Sequence, residues 1–306
     1  MYTVISYLKG IPPRNNNPEK PRSLTNFIQG VNAAGDKGII SDDTRILKCD
    51  AAVIQGYVHN DGKSAPHLTF RQNILDYQKN HNNRTIIIDS NLFLYADPGN
   101  TKGYLRYSFD GVFPNTGEYC NDIPDPKRWD KIKKDLRIDV KPWRKSGKHI
   151  LICLQRNGGW SMKGKPVVDF FHQTVNEIRK YSDRPIVVRT HPGDKKALIY
   201  SKELRGKDII LSTNKTLKED LVGAWSTVVY NSSPSVASII EGVPCFVLDP
   251  EYSQATEVAN LDISNIENPN MSERLLWIQK LAQCHWNDSD LISGEAWKHM
   301  RDYLRQ

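Results

Sequence analysis

The stretch RTHPGDKK (residues 189–196) ends a short apolar run with side chains that could hold an anion. Arg189 can bind a phosphate or carboxylate through two parallel N–H groups, His191 can donate from its ring, and Lys195 adds charge. A lone histidine is more often structural, and an arginine at a strand end commonly meets a surface carboxylate. Phosphate binding by Arg189, His191, Pro192 and Lys195 is therefore a hypothesis that needs support from a second element.

The stretch YNSSPS (residues 230–235) supplies that second element. A helix is predicted to begin here, because a serine can cap it, Pro234 suits the first helical position and Gly242 ends it. A helix start with free N–H groups and serine hydroxyls is suited to anions, although plain capping is the alternative interpretation. The predicted binding residues are Asn231, Ser232, Ser233 and Ser235.

A third polar stretch, QRNGGWSMKG (residues 155–164), also follows a predicted strand. Its two adjacent glycines would let a ligand approach the backbone closely. The pattern is neither a dinucleotide-binding G-x-G-x-x-G nor a P-loop, so by itself it is a weak signal. It adds Gln155, Asn157 and Gly158 to the candidate binding residues.

The candidate for proton transfer is a carboxylate. The chain contains no H-E-x-x-H, no G-x-S-x-G and no metal-ligand spacing, so no metal is expected. Asp89 ends the apolar run RTIIIDS, where it could take a proton from a hydroxyl group as a general base or could simply cap the next turn. Asp110 and Glu118 are the other candidates.

These residues require a scaffold of alternating strands and helices. Strands are predicted at 2–8, 51–58, 84–90, 149–155, 185–191, 208–213, 227–231 and 244–249, and helices at 23–35, 68–81, 167–182, 217–225 and 235–242. Such alternation indicates an α/β protein with parallel sheets, here two Rossmann-like domains facing a central cleft. Ligands of such sheets bind at the carboxyl ends of the strands, where the polar stretches lie.

The length of 306 residues suits two domains, predicted at 1–145 and 146–290, followed by a helix in 291–306. No apolar run approaches the about 20 residues needed to span a bilayer, and the amino terminus does not resemble a signal peptide. The five cysteines are odd in number and never in C-x-x-C spacing, which argues against a disulfide framework or a cysteine zinc site. A reduced, cytoplasmic setting is the expectation.

The net charge of +7 is concentrated in one segment. Residues 127–148 contain ten Lys or Arg against three Asp, so the rest of the chain is balanced. One interpretation is a solvated basic linker. The other is a surface for a polyanion, at which Trp129 and Trp143 could stack or pack.

In this order the R-x-HP strand end, the NSS turn and the following EGVP resemble the carboxyl-terminal half of GT-B glycosyltransferases. They look most like capsule-polysaccharide enzymes that transfer 3-deoxy-manno-octulosonic acid or sialic acid from CMP-sugars, and like phage-encoded relatives. RYSFDGVFPNTGEY and the tail from Trp277 to Met300 add to the likeness, which covers the chain from about residue 84. The resemblance assigns donor nucleotide and phosphate binding to His191, Pro192, Ser232 and Ser233.

The same resemblance makes domain 146–290 the nucleotide-sugar domain and 1–145 the acceptor domain, with the final helix crossing back onto the latter. It implies a nucleotide-sugar cosubstrate, UDP or CMP undetermined, and no other cofactor. Many GT-B enzymes grip the donor ribose with a Glu five residues before the G-x-P glycine. That position is Ala237 here, and Glu241 stands beside Gly242 instead.

The function expected from these features is sugar transfer to a hydroxyl acceptor. The favoured acceptor is a hydroxymethylated base in double-stranded phage DNA, in the host cytoplasm, and the alternative is a capsular polysaccharide or glycolipid. A non-catalytic nucleotide- or polyanion-binding protein is the remaining alternative. The residues expected to contact DNA are Arg14, Arg22, Arg106, Lys127, Arg128, Lys131 and Lys134, with Lys20 in the same loop region as Arg14.

Overall fold

The computed structural model describes residues 1–12, 17–59 and 65–304. The chain forms two compact units. The first comprises Met1–Asn91, Gly99–Lys131 and Ile278–Gln306, and the second comprises Leu92–Pro98 and Ile132–Trp277. These bounds differ from a division at residues 145 and 290, because 132–145 pack with the second unit and 278–290 with the first.

The described residues contain strands β1 (Thr3–Tyr7), β2 (Lys37–Ser41), β3 (Ala51–Gln55), β4 (Arg84–Asp89), β5 (Leu105–Phe109), β6 (His149–Cys153), β7 (Ile186–Arg189), β8 (Ile209–Leu211), β9 (Ala224–Val229), β10 (Cys245–Val247) and β11 (His285–Trp286). Their α-helices are α1 (Glu19–Ala33), α2 (Pro66–Asn80), α3 (Pro126–Leu136), α4 (Val167–Ile178), α5 (Ala197–Tyr200), α6 (Leu217–Leu221), α7 (Pro234–Ile240), α8 (Leu275–Ala282), α9 (Asp288–Ile292) and α10 (Glu295–Arg301).

The sheet of the first unit has the strand order β2-β1-β3-β4-β5-β11. Its strands are parallel except β5, which runs antiparallel to both β4 and β11. The prediction of a wholly parallel sheet was therefore wrong here, and β5 was missed because Arg106 and Ser108 interrupt its apolar pattern. Both side chains are nevertheless buried. Arg106 stands opposite Asp89 in the β4–β5 register, which compensates its charge.

Helix α1 covers one face of this sheet, and α10 packs beside it in the same core. Leu24, Phe27, Ile28 and Val31 recur at helical spacing and are all buried. Trp297 of α10 packs edge-on against Phe27, with ring centroids 6.1 Å apart. Burying such aromatic surface stabilises the unit and brings the last described helix into its core.

The sheet of the second unit is fully parallel, with the order β8-β7-β6-β9-β10. The predicted carboxyl-terminal end of one helix, 217–225, is wrong. Helix α6 stops at Leu221, Gly223 takes a left-handed φ of 75°, and β9 already begins at Ala224. The parallel arrangement brings the ends of β6, β7, β8 and β9 to a single edge, where the polar stretches lie.

Candidate functional site

A cavity of about 600 Å³ lies within the second unit at the carboxyl edge of its sheet. The loops after β6, β7, β8 and β9 form its walls together with Leu92–Pro98. Its lining is mainly apolar with a few converging polar groups, as in sites for small molecules. The lining residues are Leu92, Leu94, Tyr95, Pro98, Cys153, Leu154, Arg189, Thr190, His191, Pro192, Asn214, Lys215, Thr216, Leu217, Ser232, Ser233, Pro234 and Ala237.

His191 lines this cavity as a neutral imidazole. The backbone N–H of Gly193 donates to its Nδ1 at 2.9 Å, so the ring proton resides on Nε2. Burial and the nearby Arg156 guanidinium lower the pKa of His191, against the opposing effect of Asp194. The ring is therefore an uncharged N–H donor at neutral pH.

Asp194 holds the loop that carries His191. Its Oδ2 accepts hydrogen bonds from the Asn157 backbone N–H and the Tyr200 hydroxyl, each at 2.8 Å. Its Oδ1 accepts one from the Lys196 backbone N–H at 2.9 Å. Although burial acts to raise the pKa of Asp194, these hydrogen bonds lower it. The aspartate thus joins the loops after β6 and β7 and fixes the position of the histidine.

Arg189 reaches the cavity but already has internal partners. Its Nη1 donates to the Lys215 carbonyl at 2.6 Å and to the Asp220 carboxylate at 2.8 Å. Ser212 donates its hydroxyl to the same carboxylate. Both N–H groups of Nη1 are therefore used within the protein, so a ligand would have to be bound through Nε or Nη2.

Two of the predicted serines line the cavity and the third supports them. Among the described residues, the buried Oγ of Ser232 has no hydrogen-bond partner. Ser233 precedes α7, but its side chain does not cap that helix. Ser235 is fully buried and donates to the Ser232 carbonyl at 2.8 Å. The Ser232 hydroxyl is thus a polar group in the cavity wall that a ligand could satisfy.

The remaining predicted donor-binding residues do not line the cavity. Gln155 accepts a hydrogen bond from the Asn231 backbone N–H at 3.1 Å, and the Asn231 amide donates to Asp249 at 3.0 Å. Asn157 accepts one from the Val167 backbone N–H at 3.2 Å. These side chains brace the surrounding loops. Gly158 takes a left-handed φ of 68°, and Lys195 is exposed.

Two residues of this site were missed by the sequence interpretation. Tyr95 belongs to Leu92–Pro98, which follows β4 of the first unit along the chain but packs in the second. Burial and the nearby Glu241 carboxylate raise the pKa of Tyr95, so it remains a neutral phenol. Arg156 lies so close to Gly193 that a Cβ on that glycine would be 2.6 Å from its Nη2. The strand pattern contained no signal for either contact.

The position that holds a Glu in many GT-B enzymes is part of the cavity wall. Ala237 lines it and offers no hydrogen-bonding side chain. Glu241 is buried with 5% exposure and accepts a hydrogen bond from Lys141. Recognition of a ribose by a carboxylate at position 237 is therefore excluded in this chain.

Asp89 lies in the first unit, at the carboxyl end of β4, and does not line this cavity. Its carboxylate accepts a hydrogen bond from Arg106 at 2.5 Å, and the Arg106 side chain is almost fully buried. The pair fixes the orientation of the carboxylate while about a quarter of the Asp89 side chain stays exposed. A carboxylate held in this way could accept a proton from a bound hydroxyl.

Two further basic side chains, Arg71 and Lys20, lie close enough to Asp89 to interact with its charge. Arg71 is buried and donates from Nε to the Gly10 carbonyl at 2.7 Å. Burial lowers the pKa of Arg71 to about 10, whereas Asp89 raises it. Burial and the charge of Arg71 lower the pKa values of both Lys20 and His67. The carboxyl edge of the first sheet thus places three cations, Lys20, Arg71 and Arg106, around one carboxylate.

The alternative general bases have structural roles. Asp110 accepts hydrogen bonds from Arg84 and from the Thr85 backbone N–H, and its own φ is 62°. Glu118 accepts a hydrogen bond from the Cys120 backbone N–H at 2.6 Å. Both carboxylates therefore fix local turns.

The structure corrects the interpretation of the basic residues as one free surface. Arg106 is paired with Asp89, and Arg22 forms an ion pair with Asp288 at 3.0 Å. Arg128 is buried, where it donates to the His285 carbonyl and forms an ion pair with Asp290 at 2.6 Å. Lys131 pairs with the same aspartate, which lies about 160 residues away in sequence. The buried charges of Arg106 and Arg128 are therefore not available to a polyanion, whereas Arg22 and Lys131 are paired but partly exposed.

The two tryptophans of the basic segment are also structural. Trp129 is fully buried, and Trp143 packs against the Arg274 guanidinium at 3.7 Å from its ring centroid. Of the residues expected to contact DNA, Lys127 and Lys134 on α3 are exposed. Arg14 lies outside the described residues.

Two features are lacking in the described ranges. No cluster of three or more His, Cys, Asp or Glu side chains there could ligate a metal ion. None of the helices in the same part of the chain combines the length and apolar character required to cross a membrane.

The chain is similar to two solved structures over nearly its whole length. One is KpsC of Thermosulfurimonas dismutans described as a beta Kdo 2,7 transferase, with 13% identity, a TM-score of 0.55 and coverage of 97% of this chain and 99% of that one. The other is KpsC of the same organism described as a beta Kdo 2,4 transferase, with 11% identity, a TM-score of 0.53 and coverage of 92% and 95%. No protein-family model and no curated protein matches the chain.

At these identities the likeness establishes the fold. The α/β class with two Rossmann-like units of the GT-B type, expected from the sequence, is confirmed. The chain therefore has a fold used by glycosyltransferases.

Proposed function

We propose that this chain transfers a sugar from a nucleotide-sugar donor to a hydroxyl acceptor and binds the donor in the cavity of the second unit. One observation carries the proposal. The cavity combines the neutral N–H donor of His191 with the unsatisfied hydroxyl of Ser232. Both groups can donate to phosphate oxygens, and the apolar remainder of the lining suits a nucleoside.

The reaction requires stabilisation of a leaving phosphate. The bond between the anomeric carbon and the phosphate oxygen breaks, and its electron pair stays on that oxygen. Preorganised donors at this point stabilise the developing charge more than they stabilise the bound donor. His191 Nε2–H, Ser232 Oγ–H and the remaining N–H groups of Arg189 would take that role, with the histidine held by the Asp194 loop.

Activation of the acceptor is assigned to Asp89. Its carboxylate would take the proton of the attacking hydroxyl as the new carbon–oxygen bond forms. What supports this role is its partial exposure at the carboxyl edge of the first sheet and its fixed orientation through Arg106.

The nucleotide is UDP or CMP. A ribose would have to be recognised without a carboxylate at position 237, so polar groups of the loop Asn214–Thr216 take that role in this proposal. Titration of the purified protein with UDP, CMP and inorganic phosphate by calorimetry tests the donor half. Binding of either nucleotide that weakens about tenfold in Ser232→Ala supports it. Equal binding by wild type and variant contradicts it.

For the acceptor, a hydroxymethylated base in double-stranded DNA remains the proposal drawn from the charge pattern. The exposed lysines of α3, Lys127 and Lys134, support it, whereas the internal pairing of Arg106, Arg128 and Lys131 weakens it. In the test, the protein is incubated with a nucleotide-sugar panel and either hydroxymethylated DNA or a neutral glycan. The mass of each acceptor is then measured by mass spectrometry. A sugar added to the DNA supports the proposal. A sugar added only to the glycan contradicts the DNA proposal and supports the polysaccharide alternative.

A further inference from the structure

The connection between β7 and β8 exposes two aliphatic side chains side by side. Leu198 and Ile199 of α5 are 86% and 75% exposed. A pair of large aliphatic residues at such exposure carries a hydrophobic cost in water unless it has a partner.

Their exposure is built into the fold. Tyr200 and Leu204 of the same segment are buried in the core of the second unit. The Tyr200 hydroxyl donates to Asp194 at 2.8 Å, and the Ser201 hydroxyl donates to the Leu198 carbonyl at 3.2 Å. Because the buried side chains of Tyr200 and Leu204 anchor the segment, the helical turn exposes Leu198 and Ile199 to solvent.

Basic residues flank this pair on both sides along the chain. Within the described residues, none of the cations of the segment has an ion-pair partner, and all are exposed: Lys195, Lys196, Lys202, Arg205 and Lys207. Glu203 and Asp208 are the exposed acidic residues of the segment. This differs from α3, where Arg128 and Lys131 are paired internally.

We infer that residues 195–207 form a contact surface for an anionic lipid bilayer. Leu198 and Ile199 would enter the interfacial region while the surrounding lysines and arginine meet lipid phosphates, the combination used by interfacial helices. Nucleic acid fits less well, because phosphates would pair with the lysines but leave both aliphatic side chains in water. The inference does not depend on sugar transfer.

The surface adjoins the cavity through one short loop. Lys195 follows Asp194, whose side chain holds the His191 loop. A bilayer bound at Leu198 and Ile199 would therefore lie near the rim of the cavity in the second unit.

The experiment is co-sedimentation of the full chain with vesicles. Vesicles of phosphatidylcholine alone are compared with phosphatidylcholine mixed with phosphatidylglycerol. The expected result is about tenfold stronger binding to the anionic vesicles, which falls as salt is raised. Leu198→Ser combined with Ile199→Ser should weaken this binding about fivefold or more.

The matched control is Ile123→Ser. Ile123 is 87% exposed in the first unit, where Asp122 and Asp125 are its exposed charged neighbours. It should bind anionic vesicles like the wild type. A second variant, Lys196→Gln with Lys202→Gln and Lys207→Gln, should lose about tenfold or more of the binding to anionic vesicles while keeping Leu198 and Ile199. All substitutions are at exposed positions, and circular dichroism verifies folding.

Three results would overturn the inference. The first is equal sedimentation of wild type with both vesicle types. The second is a loss in Ile123→Ser as large as that in the Leu198/Ile199 variant. The third is wild-type vesicle binding by the Leu198/Ile199 variant together with weakened duplex DNA binding in a gel shift. Nucleotide titration of the same preparations reports separately on the cavity, so failure there is distinguishable from failure of lipid binding.

Discussion

The carboxyl edges of the two sheets occupy equivalent places in their units but contain different chemistry. In the second unit the edge encloses an apolar cavity with an uncharged histidine and a serine hydroxyl. In the first unit, basic side chains crowd around the carboxylate of Asp89. Parallel β-sheet topology determines where a ligand can bind, and the side chains at the strand ends determine whether that place suits a neutral or a charged group.

The largest effect is expected from Asp89→Asn. The variant removes the proposed proton acceptor, so transfer should fall about 10²- to 10⁴-fold. Binding of nucleotide to the second unit should not change. The measurement is sugar transfer by mass spectrometry beside nucleotide calorimetry.

The matched control for that variant is Asp110→Asn. This aspartate also belongs to the first unit and pairs with an arginine, Arg84, but it fixes a turn. It should retain most of the transfer activity. Full transfer activity in Asp89→Asn would mean that Asp89 is not the general base.

His191→Ala tests the cavity at the carboxyl edge of the second sheet. Removal of one preorganised N–H donor from the leaving phosphate should reduce turnover about 10²-fold. His172→Ala is the control, because that histidine is exposed on α4 and does not line the cavity. Single-turnover kinetics with saturating donor separates this effect from weaker binding. A loss of equal size in both variants would contradict the role of His191.

The buried charges of the first unit should make it the acid-sensitive part of the fold. His285 is fully buried beside Arg106 and Arg128, and burial lowers its pKa to about 3. The unfolded chain binds a proton near pH 6.5, so this contribution to stability is complete above that pH and declines as the pH falls toward 3. Between pH 7 and 5.5 the loss from His285 is about 1 kcal/mol.

Urea unfolding at those two pH values measures this loss, with tryptophan fluorescence as the probe. His285→Gln should reduce the difference between the two pH values, although it also lowers stability at both. An unchanged pH dependence in the variant would assign the acid sensitivity to other groups.

The smallest effect is expected from Arg156→Gln. Burial and the Arg156 charge lower the pKa of His191, so removing that charge should raise it. The neutral form of the ring would then be lost at a higher pH than in the wild type. An NMR titration of the His191 ring should show a shift of less than about one pH unit, because Arg156 is exposed. A shift to lower pH would contradict the proposed contact.

The cavity could be predicted from the sequence as far as it depends on neighbouring strand ends. Arg189, His191, Ser232 and Ser233 follow apolar runs, and parallel pairing was sufficient to bring them together. Tyr95 could not be predicted, because the segments on both sides of Leu92–Pro98 belong to the other unit.

The basic segment was misinterpreted for a related reason. The partner of Arg128 and Lys131 is Asp290, and no local pattern connects positions so far apart. Strand β5 was missed because an arginine in a buried strand looks unfavourable until its partner, Asp89, is known. In both cases the sequence displays the charge, and only the fold supplies the opposite charge.

The distribution of the first unit along the chain has a consequence for biosynthesis. Residues 132–277 lie between its part Gly99–Lys131 and its last part, so they leave the ribosome before Ile278–Gln306 is made. Until then, Arg128 lacks Asp290 and β5 lacks its neighbour β11. The second unit can therefore complete its sheet during synthesis, whereas the first must wait with an open strand edge, a state in which chains are prone to aggregate.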